Sequence, residues 1–171
     1  MIRIRDAQEA EKKTFADIND FLKTIRTLSG EVKDVDEGIK RLRSIRQLSY
    51  ENLNQIQHEH LVLMGIRWLR NIGFDNPNYE WYWNPRQTGD AKEPDLMVKS
   101  SSGVVLCGEV TTSENPVGVI DSRMRDTLDK LNKMSGQKFY FVRTISMEKR
   151  AKTKVGNGGH SIKVVFIDLD A

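Results

Sequence analysis

Two carboxylates stand out in this 171-residue chain by where they fall. Asp95 follows Pro94 at the opening of one apolar, β-rich run, Leu96-Met97-Val98, and Glu109 lies inside the next, Val104 to Thr112. A turn around Ser100 to Gly103 separates the runs, so a hairpin would set both acids on adjacent strands, where they can converge on one cation. An oxygen-only site of two carboxylates, a backbone carbonyl and waters suits Mg²⁺, or Mn²⁺ in its place. Such an ion generates hydroxide near neutral pH and stabilises the charge of an in-line attack on phosphorus.

The charge distribution agrees with a polyanionic partner. Residues 58–120 carry 5 Lys/Arg against 8 Asp/Glu, and residues 121–154 carry 10 against 4, within a chain of net charge +3. Carboxylates in the middle would hold the cation while the basic flank neutralises phosphates. The densest basic run, Lys149, Arg150, Lys152 and Lys154, ends in Gly156-Asn157-Gly158-Gly159 and is read as tracking a nucleic-acid backbone. Arg86, in the polar loop leading to Pro94, is a phosphate contact on the same reasoning. Nothing points to base readout, and basic runs are also ordinary solvated surface.

Other chemistry-bearing residues have blander readings. Cys107 is the only cysteine and sits in an apolar run, which excludes an intramolecular disulfide and a Cys-based zinc site and reads as a buried small hydrophobe. His58-Glu59-His60 falls on a helical pattern, where residues one and two apart point in different directions, so it does not make a zinc pair. Trp81 and Trp83 share one strand face and read as core. No small-molecule cofactor motif is present.

These residues need elements to hold them. All four prolines fall between residues 77 and 116, so the first 76 residues are free to be helical. Residues 1–51 read as a helical extension. One register places Ile18, Ile25, Val32 and Ile39 at a, with Phe21, Leu28, Val35 and Leu42 at d, the pattern of a two-stranded coiled coil and hence of a homodimer. Ser29-Gly30 offers the alternative of a helical hairpin folding back on the body. Residues 52–171 read as an α/β domain. A helix runs over about 52–71 with Ser49 or Asn52 as its cap, then strands around Trp81–Trp83, 94–98 and 104–112, a helix from Ile120 to Met134, a strand over 138–144, a short basic segment, and a strand over 162–169. No apolar run is long enough for a membrane span, and the opening residues lack a secretory signal, so a cytoplasmic protein is expected.

This layout resembles the PD-(D/E)xK nuclease superfamily, the restriction-endonuclease-like fold, in which a mixed central sheet is flanked by helices. The resemblance covers about residues 52–169 and is carried by Pro94-Asp95, by Gly108-Glu109-Val110-Thr111, and by the upstream helix bearing Glu59. It implies a Mg²⁺-dependent endonuclease hydrolysing DNA phosphodiesters, with Asp95 and Glu109 as metal ligands and Glu59 as a further ligand or support. The family's Lys should stand at position 111, where this chain has Thr111, which cannot supply a positive charge. Two readings follow. A basic residue has migrated, with Arg125 and Lys130 the foremost candidates beside Arg123 and Lys99, or the site is degenerate and the protein binds nucleic acid without cutting it. An oligomerisation or adaptor protein is the third alternative.

Overall fold

The computed structural model describes residues 1–4, 7–85 and 93–169. Its sheet has six strands whose spatial order follows the chain: β1 Ile2–Ile4, β2 Glu80–Trp83, β3 Leu96–Ser100, β4 Gly103–Thr111, β5 Gln137–Val142 and β6 Lys163–Phe166. Neighbours from β1 to β4 are antiparallel, and β4, β5 and β6 run parallel. Parallel neighbours cannot be joined by a tight turn. The chain therefore crosses over twice, through α3 Val119–Asn132 and α4 Ile145–Asn157. Two further helices, α1 Ala7–Leu28 and α2 Val35–Asn71, complete the four helices of the described α/β fold.

Period-two alternation in the strands divides the core into two layers. Along β5, Phe139 and Phe141 join Leu61, Ile66 and Leu69 of α2 with Trp81, Trp83 and Leu96. Tyr140 and Val142, on the opposite face, join Met124, Leu128 and Leu131 of α3 with Met147 and Ala151 of α4. The two tryptophans are core, and Cys107 is a buried free thiol, as their settings in the sequence imply. No helix among the described residues is long and apolar enough to cross a membrane.

Four features depart from the sequence reading, the last being β1, a strand where residues 1–51 read as helical. The helix expected to begin near Asn52 begins at Val35 and runs unbroken across the 51/52 boundary. Its cap is Asp34, whose side chain accepts from the Glu37 N–H at 2.8 Å, while Glu37 accepts from the Lys33 N–H at 2.9 Å. Asn52 is interior and bonds back to the Leu48 carbonyl at 2.9 Å. Second, the heptad register is not one helix: α1 stops at Leu28, Val32 lies in the connection, and α1 packs on α2 as a hairpin. Arg41 closes that turn by donating to the Gly30 carbonyl at 3.0 Å. Third, the basic segment is the helix α4, opened by Thr144, whose hydroxyl accepts from the Met147 N–H at 3.2 Å. The edge strand β1, which pairs Ile2 and Ile4 with Trp83 and Trp81, has no strong signal in so short a run.

Gly136 makes the turn into β5 with φ 77°, and a Cβ there would stand 2.6 Å from the Val105 carbonyl oxygen. Both the left-handed backbone and the backbone clash forbid a side chain. Gly136→Ala should therefore destabilise the fold by about 2 to 4 kcal/mol, read as a lower urea midpoint at unchanged slope, whereas an unchanged midpoint would mean that the turn relaxes freely.

Candidate active site

The β3–β4 hairpin pairs Leu96 with Gly108, which sets Asp95 opposite Glu109 one step further along. Opposed residues of an antiparallel pair share a face, so the two carboxyl groups meet. Both are almost wholly buried, at 1% and 2% exposure. Asp95 Oδ2 accepts the Val110 N–H at 2.8 Å, and His58 Nε2, reaching across from α2, stands 3.4 Å from the same oxygen. Lys130, in the last turn of α3, brings Nζ to 2.6 Å from Glu109 Oε1 and donates to the Glu93 carbonyl at 3.2 Å. The lysine therefore stands against a buried carboxylate oxygen at ion-pair distance.

This arrangement separates the two acids electrostatically. Burial, and then the negative charge of Asp95, push Glu109 up to about 8 against the pull of Lys130. Burial pushes Asp95 up as well, but the His58 contact, the Val110 amide and Lys130 together outweigh it and hold the carboxyl below its ordinary value. Near neutral pH the pair thus keeps one proton, with the negative charge favoured on Asp95.

A cleft of about 450 Å³ opens beside the pair. Glu51, Asn54, Gln55 and His58 of α2 form one wall, and Thr111, Thr112 and Arg123 the other. Thr111 lies at the cleft with Tyr140 as its hydrogen-bond partner. Thr111 ends β4 without a charge, and the positive charge near Glu109 comes from Lys130 on the next helix.

The other candidates from the sequence fall elsewhere. Glu59, expected as a further ligand or support, is fully buried, with Lys13 Nζ of α1 2.8 Å from Oε1 and Gln55 Nε2 at 3.3 Å. Its Oε2 is buried without a hydrogen bond, and burial, opposed by Lys13, raises its pKa. No bond among the described residues ties Glu59 to Asp95 or Glu109. Arg125 is exposed on α3 and pairs with neither carboxylate, and Lys99 stands over the Tyr82 ring at 5.0 Å. On α4, Arg150 and Lys154 both close on Asp121, at 2.7 and 3.0 Å, and Lys152 closes on Glu148 at 2.8 Å, leaving Lys149 exposed. Hydrogen bonds from Arg150 and Lys154 hold Asp121 well below the usual carboxylate range. Arg86 lies outside the described residues. His58 and Lys13 were not foreseen. His58 had a signal, its helical spacing from Gln55 and Leu61 on a face turned to the sheet, whereas nothing local links Lys13 to a partner 46 residues away.

Among the described residues no three His, Cys, Asp or Glu side chains form a group arranged to hold a metal ion. A cation here would rest on the Asp95–Glu109 pair, which is enough for an ion that keeps most of its waters. No family model, curated protein or solved structure matches the chain.

The raised Glu109 pKa has a thermodynamic sign. A carboxyl whose folded pKa exceeds its unfolded value near 4.5 binds its proton more tightly when folded, so its contribution to stability is complete below that value and is lost as pH rises towards 8. In chelator, stability should fall between about pH 5 and 8 by up to ~1.4 kcal/mol per pH unit from this group. Glu109→Gln should flatten that slope in urea titrations, and an equal slope in both proteins would contradict the assignment.

Proposed function

We propose that the protein is a metal-dependent endonuclease of the restriction-endonuclease-like type, hydrolysing DNA phosphodiester bonds. The observation that carries this reading is the pair of buried, register-opposed carboxylates with a lysine from the following helix against one of them. The order α2, β2, β3, β4, α3, β5 supports it, being the helix, three strands, helix and strand of the PD-(D/E)xK layout. Two apposed buried acids that must share a proton fit a divalent cation, since the cation removes the repulsion that the proton otherwise relieves.

Asp95 and Glu109 would hold Mg²⁺ or Mn²⁺, which supplies Lewis-acid stabilisation of charge on phosphorus and an acidified water. The chain's own residues do the rest. The Val110 N–H and His58 both meet Asp95 Oδ2 and fix the carboxylate in place. Lys130 takes the role of the lysine absent at 111, aiming a cation at the pair from α3. Thr111 offers a hydroxyl only, and Arg123 faces the cleft as a phosphate contact. Glu59, tied to Lys13, supports the wall of the cleft rather than the cation.

Asp95→Asn or Glu109→Gln should abolish both Mn²⁺ binding and plasmid cleavage while leaving the fold intact. Lys130→Met should slow cleavage by about 10² to 10³, the worth of one charge-stabilising donor of roughly 3 to 4 kcal/mol, and Arg125→Met should leave the rate within about twofold. Cleavage by Asp95→Asn equal to wild type excludes this site. A wild type inert on supercoiled, linear and single-stranded DNA in Mg²⁺ and Mn²⁺, yet binding DNA, returns the non-catalytic module.

A further inference from the structure

The cations that the sequence offers for nucleic acid on α4 are largely spent inside the chain, because Arg150, Lys154 and Lys152 each close on a carboxylate. A different set is free. Arg43 and Arg46 are exposed on α2 and take part in no ion pair among the described residues. With Gln47, Tyr50 and Glu51 they line a hollow of about 410 Å³. Tyr50 is 74% exposed, an aromatic ring held out on a rigid helix. Glu51 also borders the cleft beside Asp95 and Glu109, so the two hollows adjoin.

Spacing makes them one surface. Arg43, Arg46, Tyr50 and Asn54 recur every three or four residues on a single face of α2. From Arg43 to Asn54 the face extends roughly 17 Å at the rise of an α-helix, room for a few nucleotides. We infer that this face of α2 is the track along which a single strand of DNA runs into the cleft, with Arg43 and Arg46 on its phosphates and Tyr50 stacked on an unpaired base. The inference rests on the nuclease reading for where the strand is cut.

The ring selects a single strand over a duplex, whose bases are stacked on one another and offer no free face to a side chain. Glu51 repels phosphate, so a strand passing it presents a base or sugar there, immediately beside Tyr50. Arg123, also without an ion pair among the described residues, takes up the backbone again across the cleft.

The test is fluorescence anisotropy with a labelled oligonucleotide, as a single strand and as its blunt duplex, in EDTA so that nothing is cut. Wild type should bind the strand more tightly than the duplex. Tyr50→Ser should weaken strand binding on the order of tenfold, and Arg43→Gln with Arg46→Gln should reduce the salt slope of log K by about 1.4, two phosphates at roughly 0.7 each. All three residues are exposed, and matching circular dichroism spectra confirm intact variants. Equal affinity for strand and duplex, or a triple variant that binds the strand as wild type does, overturns the inference. The two readings fail separately. A protein that binds through the track and never cuts refutes the nuclease alone, and one that cuts at a rate the triple variant leaves unchanged refutes the track alone.

Discussion

Two carboxyl groups held together out of water are the constraint around which this fold is arranged. The β3–β4 register opposes Asp95 and Glu109, and neither is exposed enough for water to separate their charges. Isolated, such a pair would cost several kcal/mol. The surrounding structure meets that cost from three directions: the Val110 amide along β4, His58 from α2 on one face of the sheet, and Lys130 from α3 on the other. A site fed from both layers cannot form until both layers are packed. The same compensation stops short of complete, since Glu109 keeps a raised pKa.

The parallel half of the sheet explains why the cation comes from position 130. After β4 the chain must cross over α3 to lay β5 alongside, so α3 passes over the face on which Glu109 lies. Met124, Leu128 and Leu131 fix that helix to the sheet, and Lys130 lies next to Leu131 with its side chain only about a quarter exposed. The long flexible stem of a lysine then reaches the carboxylate while its methylenes cover apolar surface. A cation at 111 and a cation at 130 reach the same carboxylate from different elements, and the sequence distance between them says nothing about the distance in space.

Much of this was legible in the residues. Alternation and turn chemistry mark β2 to β6 closely, and Pro94-Asp95 with Glu109 on successive strands was sufficient to bring the two acids together. What was hidden depends on tertiary packing. The start of α2 was misplaced because its apolar stripe drifts and Ser49 and Asn52 imitate caps, whereas Asp34, Glu37 and Arg41 build the true one. The α4 helix was missed because its charges and glycines look like a loop, although Met147 and Ala151 are buried at helical spacing. Glu59, expected as a further ligand or support, is an exception to the rule that a glutamate on a helix faces solvent, and the exception is made by a lysine on another helix.

That exception shows what the helical extension does for the site. A buried ion pair such as Lys13–Glu59 adds little net stability, but it penalises any packing that separates its partners. Lys13 is held further by Asp17 one turn along α1 and by the Trp83 ring 5.8 Å away, so α1 has one favourable position over α2 and β2. Gln55 then relays that position: its amide donates to Glu59 and to the Pro85 carbonyl, and its side chain lines the cleft. Three residues further on, the same helix presents His58 to Asp95. The hairpin therefore does not stand apart from the α/β body. It fixes the rotation of α2, and the rotation of α2 sets one wall of the cleft and one of the contacts by which Asp95 keeps its charge.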